Sequence, residues 1–192
     1  MANLNGYKKL NTAVFISGTG SNLKNLINHS KKKNSKFIIN LIISDNSRAK
    51  GLNYAHQFNI NKKIINFSNI KKAEKIALNE LNKKKIKLVC LAGFMKILSK
   101  GFIKNFEGKI INIHPSLLPK YKGLNTHKRA LINNEKYSGC TVHYVNSRLD
   151  GGKIIMQRKV KVFKNDTVKK LSKRILKQEH YLYPKALSKI LS

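Results

Sequence analysis

Acidic residues are scarce in this 192-residue chain: eight Asp plus Glu stand against forty Lys plus Arg, a formal charge of +32. With so few acids, and only two cysteines, no His/Cys/Asp cluster has metal-ligand spacing, and no metal centre is expected. Cys90 and Cys140 both lie in apolar strand contexts, which reads as buried reduced thiols in a reducing compartment; neither has the setting of a nucleophile. The opening Met1-Ala2-Asn3-Leu4-Asn5-Gly6 lacks an apolar signal core, and no apolar run approaches the length of a membrane span. A cytoplasmic chain with no membrane partner is the expectation.

The surplus of positive charge raises nucleic-acid binding as one function class. The lysines, however, recur in every segment, as in Lys31-Lys32-Lys33, Lys83-Lys84-Lys85 and Lys169-Lys170, and Asn and Ile are abundant beside them. Compositional drift toward these residues produces the charge without a polyanion partner. No zinc spacing, helix-turn-helix or RNA-binding aromatic signature accompanies it, so no specific nucleic acid is expected.

What the chain does contain is a regular alternation of apolar runs and helical patterns. Strands are expected near 12–17, 37–43, 63–67, 87–91 and 109–113, with helices near 21–33, 49–58, 70–84 and 99–105 between them. That βα repeat predicts an α/β fold with a mostly parallel, Rossmann-like sheet flanked by helices. After residue 114 a loop to 126, a short helix near 127–133 and strands near 139–146 and 153–163 predict an antiparallel extension near the C-terminus. Asp166-Thr167 begins a last helix expected to reach about 182, where Pro184 interrupts it. The length suits one domain over 1–192, with 1–11 as a flexible extension.

Chemistry concentrates in two segments. In Asn112-Ile113-His114-Pro115-Ser116-Leu117-Leu118-Pro119, an apolar strand ends at a proline, so Asn112 and His114 share one face at the strand's carboxyl end, where open α/β sheets bind ligands. The plainer reading is a polar strand end with a satisfied histidine. Thirty-six residues after His114 comes Asp150-Gly151-Gly152, at the end of a β-branched run. An acid before two glycines is a common turn. Placed against an imidazole, however, Asp150 raises its pKa and favours the imidazolium, while Asn112 can donate to an oxyanion. The trio suits acyl transfer through a tetrahedral intermediate without a metal. Ser116 and His143 support that site, though His143 can equally be a strand residue satisfied by backbone.

These segments resemble the folate-dependent formyltransferases, and the resemblance extends in order from about residue 12 to 184. Ile16-Ser17-Gly18-Thr19-Gly20-Ser21-Asn22-Leu23, Leu91-Ala92-Gly93-Phe94-Met95-Lys96-Ile97-Leu98 and Gln178-Glu179-His180 are similar to blocks of the phosphoribosylglycinamide formyltransferases. The resemblance implies transfer of a formyl group from 10-formyltetrahydrofolate to the amine of 5'-phosphoribosylglycinamide, a step of purine biosynthesis. It implies Asn112, His114 and Asp150 as the catalytic trio, and Gly20, Ser21, Asn22 and Glu179 as contacts of the glycinamide ribonucleotide. Met95, Lys96, Ile97, Leu98 and Asn112, with Asn146, Ser147, Arg148, Leu149 and Asp150, are implied to line the folate site. Physically, glycines and free N–H groups at a helix start suit a phosphate, although Ser or Asn there is most often an N-cap.

The chain departs from the family at Asn125, where relatives often carry histidine, and at Lys71 or Lys72, where many offer the folate an arginine. Relatives that formylate methionyl-tRNA or hydrolyse formyltetrahydrofolate carry an added domain at one end or the other. At 192 residues, the expectation is the small phosphorylated acceptor; oligomeric state is left open between monomer and homodimer.

Overall fold

The structure, a computed structural model, describes residues 9–192. The chain forms two compact units, one running to Ile111 and the other from Asn112 to Ile190. In the first, β1 (Leu10–Ile16), α1 (Ser21–Ser30), β2 (Phe37–Ser44), a 3₁₀ turn (Lys50–Leu52) leading into α2 (Asn53–Gln57), β3 (Asn61–Ile64), α3 (Ile70–Lys83), β4 (Leu88–Leu91) and α4 (Lys100–Asn105) precede β5 (Lys109–His114), inside which the division falls. The strand order is β3-β2-β1-β4-β5. β1 pairs in parallel with β2 and β4, and β2 with β3.

Burial follows from that topology. Ala13, Val14, Phe15 and Ile16 of β1 are all fully buried, as a central parallel strand covered on both faces requires. α1 turns Leu23, Leu26 and Ile27 inward at i, i+3 and i+4 spacing. β3 is the edge strand and carries exposed Lys62, which discourages pairing with another chain. It begins two residues earlier than the apolar run suggests. Its pairing ends with Ile64 opposite Ser44, the last residue of β2, so the partner's length sets its own.

In the second unit the order is β5-β6-β7, with β6 (Tyr137–Tyr144) and β7 (Ile154–Lys161) antiparallel as expected. α5 spans Thr126–Ile132 and α6 Val168–Ile190. The expected stop of α6 near 182 is corrected. A proline inside a helix costs about 3 kcal/mol, but Tyr183, Pro184, Ala186 and Leu187 are all buried. Burying a large apolar side chain contributes roughly 1.5–3 kcal/mol, so this face outweighs the lost hydrogen bond and the helix continues. Of the expected extension over 1–11, Leu10 and Asn11 belong to β1, and residues 1–8 lie outside the described residues. Among the described residues no helix is long and apolar enough to cross a membrane.

Candidate active site

Asn112 and His114 emerge on one face of β5, two residues apart, while Ile111 and Ile113 are buried on the other. The unit brings Asp150 to both. Asp150 Oδ2 lies 3.4 Å from His114 Nδ1 and accepts a 2.8 Å hydrogen bond from the Gly123 amide, while Oδ1 lies 3.5 Å from His143 Nε2. The Asn112 amide nitrogen is 3.2 Å from His143 Nε2 and 3.5 Å from Asp150 Oδ1. The His143 Nδ1 faces the Tyr144 carbonyl at 2.8 Å, so it carries the proton and Nε2 accepts from Asn112. His143 is therefore both satisfied by backbone and part of the cluster. One Asn112 hydrogen is committed; the other, at the 3.5 Å limit, is open to a stronger acceptor.

Asp150 reaches the cluster from a constrained loop. It has φ 45°, in the left-handed region that aspartate tolerates better than most residues. A Cβ on Gly152 would stand 1.7 Å from the Tyr144 carbonyl oxygen, so only glycine lets the loop return to β6. Asn146 closes the same loop by donating to the Gly151 carbonyl and accepting from the Arg148 amide. Asn146, Ser147, Arg148 and Leu149 are exposed on its outer side.

The expectation of a resting imidazolium at His114 is corrected. Burial pushes its pKa down; the Tyr121 carbonyl and Asp150 pull it up, His143 and Arg129 push it down again, and it stays below the ordinary histidine value. Asp150 also shifts down, but against burial rather than because of it. Burial pushes its carboxyl up, but the nearby His143, the hydrogen bond from the Gly123 amide and the field of His114 hold it below the usual carboxylate range. The resting pair is a neutral imidazole beside a carboxylate. Both ring nitrogens of His114 face oxygens, Nδ1 toward Asp150 and Nε2 toward the Tyr121 carbonyl at 2.9 Å. A proton taken up during reaction therefore finds acceptors on both sides.

Several of these partners are backbone groups with no signature in residue type, and sequence reasoning missed them. The Tyr121 carbonyl and the Gly123 amide carry no such signature; a turn signal at Lys122-Gly123 was the available hint. Ser116 acts on the loop rather than on the cluster, donating to the Lys120 carbonyl at 2.6 Å. Thr141 donates to the Ser116 carbonyl and accepts from the Leu118 amide and the Gln157 side chain, tying the loop to β6 and β7.

In the first unit, Gly20 is the N-cap of α1, with φ 71° and no side-chain cap. The reading of Ser21 or Asn22 as a cap is not met, because the cap position falls on Gly20, which has no side chain to offer. Asn22 is buried and Ser21 half-buried. A Cβ on Gly20 would stand 2.7 Å from the Gly51 Cα, so the loop's tight packing requires glycine. Met95 and Ile97 form no helix start; they project from an irregular loop, 61% and 68% exposed, with exposed Lys96 between them and buried Leu98 after them. The Met95 amide donates to Ser17 Oγ at 2.8 Å, and Lys96 lies 3.8 Å from Asp45. In the second unit Glu179 is buried on α6, not a solvated charge. Asn125 is the N-cap of α5 with φ 58°, so its backbone role there is conformational. Lys71 and Lys72 are both exposed in the first turn of α3, and nothing in the structure separates them. Among the described residues no group of three or more His, Cys, Asp or Glu could hold a metal ion. Cys90 and Cys140 are buried, and burial pushes the Cys140 thiol up to about 12.

Burial lowers the pKa of His29, His114, His127 and His180, each below the ordinary 6.5. His29 is half-buried and stacked on Phe37. Histidines depressed in the folded state contribute stability that is fully present above pH 6.5, where the unfolded chain is also neutral. It is lost as pH falls through their folded values, because the unfolded state takes up protons first. Urea unfolding at pH 7.5 and 5.5 checks this: the midpoint should drop at the lower pH, and His127→Gln should drop less. An unchanged or rising midpoint contradicts it.

Comparison with known proteins identifies the family of the chain. The family described as formyl transferase matches residues 10–187. The chain is 43% identical over 191 residues to the human trifunctional purine biosynthetic protein adenosine-3, covering 96% of this chain but 19% of that protein, so it spans about a fifth of that relative's length. It is 39% identical to the phosphoribosylglycinamide formyltransferase of Escherichia coli strain K12, covering 93% and 86% of the two chains. The solved phosphoribosylglycinamide formyltransferase of Brucella melitensis is similar with a TM-score of 0.91 and 41% identity, over 96% of this chain and 97% of that one. On this evidence the chain belongs to the formyl transferase family.

Proposed function

We propose that this chain transfers the formyl group of 10-formyltetrahydrofolate to the amine of 5'-phosphoribosylglycinamide, a step of purine biosynthesis in the cytoplasm. The observation that carries the reading is the convergence of Asn112, His114 and Asp150 at the end of β5. The acceptor amine attacks the formyl carbon, forming a C–N bond and an oxyanion that takes the second hydrogen of Asn112. Neutral His114 accepts the proton that the attacking nitrogen must lose. The imidazolium then lies between Asp150 and the Tyr121 carbonyl, which both favour its charge. That proton goes to the departing folate nitrogen as its bond to the formyl carbon breaks.

In the first unit, Gly20, Ser21 and Asn22 are assigned the phosphoribosyl end of the acceptor, because α1 opens without a side-chain cap. Exposed Met95 and Ile97, with Lys96 and Leu98, are assigned the folate ring. In the second unit, Glu179 is assigned a contact with the glycinamide substrate, and Asn112 with Asn146, Ser147, Arg148, Leu149 and Asp150 the folate. The matched span of 10–187 supports one formyltransferase domain.

Folate absorbance followed with and without phosphoribosylglycinamide tests the reaction. Formyl-donor consumption should require the acceptor. Consumption at the same rate without it points to hydrolysis of the donor and overturns the assignment.

A further inference from the structure

The three residues Tyr121-Lys122-Gly123 hold both halves of the His–Asp pair. The carbonyl of Tyr121 meets His114 Nε2 at 2.9 Å, and the amide of Gly123 meets Asp150 Oδ2 at 2.8 Å. The turn is not self-supporting: Tyr121 has φ 56° and Gly123 φ 76°, and a left-handed backbone at a bulky residue persists only where its surroundings enforce it.

Ser116 holds the Lys120 carbonyl just before this turn, and another hold comes from α5 and the segment that follows it. Glu135 Oε1 accepts a 2.8 Å hydrogen bond from the Tyr121 hydroxyl, and its two oxygens lie 2.8 and 3.1 Å from Lys120 Nζ. Arg129 adds a second grip, donating to the Lys122 carbonyl at 2.7 Å with its guanidinium 5.0 Å from the Tyr121 ring. The lysine contact is the weaker part: Lys120 is 64% exposed, and exposed ion pairs contribute little. The Tyr121 hydroxyl bond is partly buried and fixes the residue whose carbonyl meets His114.

We propose that Glu135 is a positioning residue of the formyl-transfer site, acting through Tyr121 to set the orientation of His114. The proposal rests on the catalytic reading of His114. Glu135 touches none of the trio, so its loss acts only by releasing the turn. Without the Tyr121 carbonyl, His114 loses a contact that pulls its pKa up.

Glu135→Ala and Tyr121→Phe are compared with the parent in steady-state kinetics and in an NMR titration of the His114 ring. Both variants should lower kcat about 10-fold while leaving KM for both substrates within about twofold, and His114 should titrate lower than in the parent. Glu135→Gln, which still accepts from the hydroxyl, should recover most of kcat. The double variant should be no worse than either single one, since both cut the same link. Unchanged kcat, or a fall in kcat with an unmoved His114 titration, overturns the proposal. Tyr121→Phe removes one oxygen and keeps the ring, so it tests the link even if Glu135→Ala fails to fold. His114→Ala separates the two readings. If it abolishes turnover while Tyr121→Phe is silent, only the clamp fails; if it is itself silent, the catalytic assignment fails.

Discussion

His114→Ala and Asp150→Asn should each lower kcat by about 100-fold or more while changing folate affinity by less than about threefold. Their contributions arise as the reaction proceeds: the imidazole takes up charge only when the attacking amine loses its proton, and the carboxylate stabilises that charge. Asp150→Asn is the sharper test. The asparagine keeps the shape and can still accept from the Gly123 amide, so the loop stays placed and only the charge beside His114 is gone. A variant that loses a transition-state interaction lowers kcat and kcat/KM together, whereas one that loses ordinary binding raises KM alone. Single-turnover kinetics with an equilibrium folate titration distinguish these, and near-normal turnover in either variant removes the trio from the mechanism.

Ser21→Asp should raise KM for phosphoribosylglycinamide roughly 30-fold, taking the upper range of about 2 kcal/mol for a charge at a helix N-terminus. The first turn of α1 has no acidic residue and no side-chain cap, so its N–H groups suit an anion from outside. An aspartate there supplies that anion from within and repels the phosphate. The same change stabilises the helix, so the melting temperature should hold or rise. That separates weakened binding from damage to the fold. KM for the folate should move by less than about twofold; equal increases for both substrates mean the loop has another role.

Much of this was legible in the chain because it depends on local pattern. The apolar runs of β1, β4 and β5, the period-two placement of Asn112 and His114, and the proline ending their strand need only adjacent residues. The glycines at 151 and 152 announced a turn, and the structure adds why the second is needed: the Tyr144 carbonyl occupies the space of a Cβ.

Long-range packing decided the rest. α6 runs through Pro184 because its last turns are buried, and β3 ends where β2 does, facts that reside in partners distant in sequence. The charge state of His114 is the clearest case. Residue types and spacing establish that an imidazole and a carboxylate are available, and from the pair alone the pKa should rise. Only the folded chain decided the outcome, because desolvation depends on everything packed around the ring, and here it outweighs the carboxylate. The two hydrogen bonds that fix the pair come from backbone groups of Tyr121 and Gly123, and every residue has such groups; their positions exist only in three dimensions.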